Sequence, residues 1–121
     1  MTLRAELKLL HSPDLPDPEH NRPQDPGNFR ILIQALIGVA GQEGADTFDF
    51  LVCTPAWLAA HLAAHPAEPL PARGYLIVPG YDYAKIHAAI SRLCDQATGP
   101  DWPALAARLN LDGRWEYGAD H

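Results

Sequence analysis

Apolar and polar positions alternate at the start of the chain: Leu3, Ala5, Leu7 and Leu9 fall on one side, Arg4, Glu6 and Lys8 on the other. A period of two belongs to a half-buried strand. The alternation returns over Phe29–Ile37, where Phe29, Ile31, Ile33, Ala35 and Ile37 face one way. Arg30 and Gln34 mark the opposite side, which Leu32 and Leu36 make only partly polar. A third strand carries Phe48, Phe50 and Val52 against Asp49. Between the second and third, Gly38, Gly41 and Gly44 supply the backbone freedom that a hairpin turn needs.

The period then changes. Thr54 is a good helix N-cap, Pro55 sits at the first helical position, and Ala56–His65 continues as helix until Pro66 stops it. Ala67–Arg73 is a proline-containing loop, and Gly74–Val78 a short strand ended by Pro79-Gly80. Asp82 caps a second helix whose stripe of Tyr83, Ile86, Ile90, Leu93, Cys94 and Ala97 has helical spacing, with Gly99 as its C-terminal glycine. Asp101 caps a third helix with Leu105, Ala106 and Leu109 inward, and Gly113 leads into a last strand, Arg114–Tyr117.

The long interruption is Ser12–Asn28, with five prolines (Pro13, Pro16, Pro18, Pro23 and Pro26) and the acids Asp14, Asp17, Glu19 and Asp25. That composition builds a loop, and a loop of such length in a compact domain is usually functional or disordered. The predicted order, β-β-β-α-β-α-α-β, is that of an α+β two-layer protein: a mainly antiparallel sheet with about three helices over one face.

A chain of 121 residues fits a single domain (residues 1–121), which buries roughly two-thirds of its unfolded surface and needs no metal or disulfide staple. The apolar runs are far shorter than the ~20 residues of a membrane helix, and the N-terminus lacks a signal-peptide core. A cytoplasmic protein without membrane association is expected. Cys53 and Cys94 are too few for a disulfide framework and read as small buried hydrophobes. The net charge of −6 argues against nucleic acid, whose binders rely on Lys and Arg, and favours a basic protein partner.

Candidate chemistry is sparse. His61 and His65 stand four apart on the first helix, a spacing that can chelate a metal, but no Glu follows His61. Trp57 shares their stripe, so a surface or structural role is expected and no metal. Cys53 precedes a helix N-terminus, which favours a thiolate, and His61 is not far along the chain as a base, yet its strand face is largely apolar and a buried, inert Cys is expected. The glycine turn lacks the Lys-Ser/Thr and the following helix of a phosphate loop. Glu43, Asp46 and Asp49 have no cation among residues 38–54, and nothing sets them across a cleft as paired acids. They read as a solvated hairpin tip or, more sharply, as an acidic recognition patch extended by Asp14, Asp17, Glu19 and Asp25. Trp115 reads as core, whereas Trp102 stays open between core and interface.

The chain resembles the immunity protein 8 family, antidotes found beside bacterial polymorphic toxins. The likeness rests on Gly38, Gly41 and Gly44 leading into Phe48-Asp49-Phe50 and Val52-Cys53-Thr54-Pro55, followed by Trp57-Leu58. It continues through Leu76-Ile77-Val78, Tyr81-Asp82-Tyr83, Trp102 and Gly113 with Trp115-Glu116, from about Leu3 to Tyr117. Tyr83 replaces a common Trp and Val39 a frequent Pro, both conservatively. The resemblance implies a cytoplasmic, non-enzymatic inhibitor that binds a cognate toxin domain; it carries over no site residues and no cofactor. The expected contact surface is therefore the acidic hairpin with the Ser12–Asn28 loop. The rival classes are a small Cys/His enzyme, which Cys53→Ala or His61→Ala would inactivate, and a housekeeping protein-binding module.

Overall fold

Three long strands carry the architecture of the computed structural model, which describes residues 1–118. They are β1 (Leu3–His11), β2 (Arg30–Val39) and β3 (Asp46–Cys53). After β3 come α1 (Pro55–Ala64), β4 (Tyr75–Ile77), α2 (Tyr83–Gln96), β5 (Thr98–Gly99), α3 (Trp102–Leu109) and β6 (Arg114–Trp115). The sheet order is β4-β3-β2-β1-β5, and β6 also pairs with β3. Among the described residues only the β3–β4 pair is parallel, so the expected mainly antiparallel α+β arrangement, and its order of strands and helices, is what the chain adopts.

The β2–β3 hairpin is in continuous register from Arg30↔Cys53 to Ile37↔Asp46. Its turn needs glycine at specific places. Gly41 and Gly44 have positive φ (79° and 98°), and a Cβ on Gly38 would lie 2.1 Å from the Gly44 carbonyl oxygen. One side of the hairpin, with Ile33, Ala35, Ile37, Phe48, Phe50 and Val52, is buried against Ile86, Ile90 and Cys94 of α2 and Leu105, Ala106 and Leu109 of α3. Each large side chain taken out of water there contributes about 1.5–3 kcal/mol. The helices start as their caps dictate: Asp82 accepts the Lys85 N–H, Asp101 accepts the Ala104 N–H and Thr54 accepts the Trp57 N–H.

Four details depart from the sequence pattern. The β1–β2 register slips between Leu7 and Leu9, a bulge that turns Leu9 out (56% exposed) and Leu10 in (5%). Gly99 does not close α2; Ala97 is the cap, in extended conformation, and Thr98–Gly99 pairs instead with Leu3–Arg4. The last strand ends at Trp115, and Tyr117 is exposed. Finally, α1 contributes no buried residue, so the helical share of the core comes from α2 and α3. Its apolar residues lie all round the helix rather than in one stripe, and nothing in that pattern directs a single side inward.

Candidate functional site

The acids that looked alike in the sequence occupy three different settings. Asp46, at the start of β3, turns toward α3 and β6. Its Oδ2 accepts the indole N–H of Trp102 at 2.8 Å and that of Trp115 at 3.0 Å. Both rings lie against Phe48, Trp115 stacked and Trp102 edge-on. Asp46 thereby fastens the hairpin to the C-terminal elements. Two bonds from donors to a charged acceptor are worth more than neutral ones, and half-burial keeps water from replacing them. Trp102, left open by sequence, is thus part of this lock.

Glu43 and Asp49 face elsewhere. Glu43 is exposed at the hairpin tip, beside a depression of about 450 Å³ that Lys8 and Leu36 also line. Asp49 lies on the side of the sheet away from α2 and α3, paired in register with Gln34 and Arg114, and its carboxylate accepts from Gln34 Nε2 at 3.4 Å.

The third setting is the proline-rich loop, which is well tied down. Ser12 Oγ donates to the Leu32 carbonyl and Asp14 accepts the Leu32 N–H at 2.8 Å, so the loop's first turn is stitched to β2. Leu15 is buried in the core (8% exposed). Tyr81, just before α2, donates its hydroxyl to the Pro18 carbonyl and its N–H to the Pro26 carbonyl, and its ring meets Phe29 edge-on. Between these anchors Asp17 holds positive φ (46°), its carbonyl accepting the N–H groups of His20 and Asn21, and Asp25 caps the Gly27 N–H. What emerges on the outside is Asp17, Glu19 and Asp25, all exposed. Glu19 borders a cleft of about 320 Å³ floored by Tyr81 and Tyr83 and edged by Arg22 and Asp82. Burial pushes the Tyr81 phenol to about 12; it also raises that of Tyr83, with Glu19 and Asp17 adding to the effect.

The groups weighed for catalysis or metal binding have structural occupations. Cys53 and Cys94 are both free and buried. Desolvation raises the Cys53 thiol above its ordinary value, with Arg30 opposing, and raises Cys94 to about 12. His61 stacks on Trp57 (4.7 Å between centroids) and on His65 (4.5 Å), and His65 Nδ1 meets the His61 carbonyl at 2.9 Å. Arg30 lies over the other partner of this stack, 5.2 Å from the Trp57 centroid. Among the described residues no group of three or more His, Cys, Asp or Glu side chains converges as a metal site, and no helix is long and apolar enough to cross a membrane.

These features define an α+β protein that exposes several acids on an ordered, proline-rich loop. The chain belongs to the Immunity protein 8 family, which it matches over residues 5–119. Comparison with curated proteins and with solved structures finds no match.

Proposed function

We propose that the protein is an immunity protein that binds a cognate bacterial toxin domain in the cytoplasm and neutralises it by occlusion, without a reaction of its own. The observation that carries this reading is the family match along nearly the whole chain. The acidic balance of −6 supports a basic toxin, since opposite fields accelerate encounter and disfavour wrong partners. Of the seven acids first singled out, Asp17, Glu19 and Asp25 on the pinned loop are the contact group. Asp46 supports the fold through the two indoles, and Asp14, itself exposed, ties the loop to β2 through the Leu32 N–H. Glu43 and Asp49 lie on another side of the molecule and are secondary. A loop that is ordered before binding loses little conformational freedom on docking, which favours tight complexes.

The test is co-expression of this chain with the toxin domain encoded by the neighbouring reading frame. Growth should be restored by the wild type and equally by Cys53→Ala and His61→Ala. Failure of the wild type to protect overturns the reading; loss of protection in either single variant, with folding intact, returns the enzyme reading.

A further inference from the structure

Where the pinned loop meets the start of α2, shape, aromatic rings and charge coincide. The cleft of about 320 Å³ is walled by Glu19, Asn21 and Arg22 and floored by Tyr81 and Tyr83. It runs on into a more open depression of about 450 Å³ along α2, lined by Ala84 and His87, and Glu19 and Tyr83 belong to both. Tyr83, Ala84 and His87 share one side of the helix, while Ile86 and Ile90 turn to the core. Lys85 stands roughly 200° round the helix from Tyr83 and so points away from this groove. The loop wall is held in place: Pro18 is buried and accepts the Tyr81 hydroxyl, and Asn21 Nδ2 donates to the carbonyls of Pro16 (2.7 Å) and Asp17 (3.2 Å). A groove ordered in advance loses little freedom when it is filled.

Charge and chemistry name the occupant. Asp17, Glu19 and Asp82 stand around the groove against Arg22, which favours a cation. Asp17 lies 3.0 Å from the His20 ring nitrogen, and Asp82 accepts the Lys85 N–H, whereas Glu19 is exposed at the centre of the groove. A flat cation suits this setting best. A guanidinium stacks on a tyrosine ring and offers two parallel N–H groups to one carboxylate, which an ammonium does not. The cleft is at the small end of the roughly 300–1,000 Å³ of ligand pockets, room for one side chain and not for a folded element.

We infer that the groove seats an arginine side chain of the toxin domain, its guanidinium stacked on Tyr83 and paired with Glu19. That the arginine is the toxin's rests on the toxin reading; the preference of the groove for a guanidinium does not.

Two measurements keep these apart. The first is isothermal titration of the purified full chain with the toxin domain of the neighbouring reading frame. Glu19→Gln and Tyr83→Leu should each weaken binding about tenfold, and Tyr83→Phe, which keeps the aromatic face, by less than about threefold. Both groups grip one guanidinium, so the double variant Glu19→Gln/Tyr83→Leu should lose less than the product of the singles. Arg22→Gln removes a like charge from the rim and should tighten the complex about threefold. The second is proton NMR of the chain alone. Acetyl-arginine amide at millimolar concentration should shift the ring signals that disappear in Tyr83→Phe, and acetyl-citrulline amide, its uncharged counterpart, should leave them in place. A complex that Arg22→Gln weakens has an acidic occupant and overturns the inference. So do a complex that Arg22→Gln fails to tighten, single losses that multiply, a Tyr83→Phe as damaging as Tyr83→Leu, or two amides with the same effect. A toxin domain that does not bind the wild type sinks the toxin reading, and the pair of amides then decides the groove by itself.

Discussion

The hairpin acids and the loop acids are chemically the same residues put to opposite uses. Asp46 has its carboxylate drawn inward to two indoles, and it contributes to the fold. Glu19 has no such duty and stands at the mouth of a tyrosine-floored cleft. The difference lies in what each backbone is tied to. The hairpin is fastened through the Asp46 carboxylate, whereas the loop shares its anchoring among Leu15, Ser12, Tyr81 and the Asp14 carboxylate, leaving Asp17, Glu19 and Asp25 exposed with at most local contacts, Asp17 to His20 and Asp25 to the Gly27 N–H. An acid is available for recognition when something else holds its segment in place.

Breaking each region should therefore fail in a different way. The largest effect is expected at Gly38→Ala, whose new methyl meets the Gly44 carbonyl; about 4 kcal/mol of stability should be lost in urea unfolding. Asp46→Ala leaves two half-buried indole N–H groups without an acceptor and should cost about 3 kcal/mol, with a change in tryptophan emission as Trp102 and Trp115 lose their partner. Asn at 46 retains one acceptor oxygen and should recover part of this loss. The loop combination Asp17→Asn, Glu19→Lys and Asp25→Asn keeps the positive-φ position and the Gly27 cap, so stability should move by no more than about 0.5 kcal/mol.

Two smaller effects sharpen the contrast. Tyr81→Phe removes the hydroxyl that anchors Pro18 and should cost about 1 kcal/mol at neutral pH. The Tyr81 phenol is raised to about 12 from an ordinary 10.0, so the folded chain binds more protons than the unfolded one in that interval. Its contribution is complete below pH 10 and is lost as pH climbs through 12; the Phe variant should show a shallower alkaline decline. Smallest of all, Glu19→Lys should lower the Tyr83 phenol toward its ordinary value in a spectrophotometric titration, since Glu19 is among the groups that raise it. An unmoved Tyr83 would mean that the loop acids do not project their field into the cleft.

Much of the architecture was legible because local and tertiary signals agreed. Thr54-Pro55, Asp82 and Asp101 begin helices where their capping chemistry says they should, and the Phe48–Val52 alternation has the burial it announces. Leu9 was misread because a bulge shifts register without leaving a mark in a run of alternating residues; Leu10 beside it is equally apolar. Gly99 does not end the helix because glycine serves equally where space is tight: a Cβ placed there would lie 3.0 Å from the Ala104 Cβ. The surface was less legible still. That Asp46 points at Trp102 and Trp115, 56 and 69 residues later, depends on α3 and β6 returning to β3, which no local pattern encodes. Leu32 and Leu36 did mark the second side of β2 as only partly polar, and both are half-buried there on either side of Gln34.

The most direct test of the account is the affinity of the neighbouring toxin domain for the Asp17→Asn, Glu19→Lys, Asp25→Asn chain, measured by isothermal titration beside the wild type. The wild-type complex should form in the nanomolar range or tighter, and the variant should melt like the wild type yet bind at least 100-fold more weakly. An affinity unchanged within twofold would contradict it.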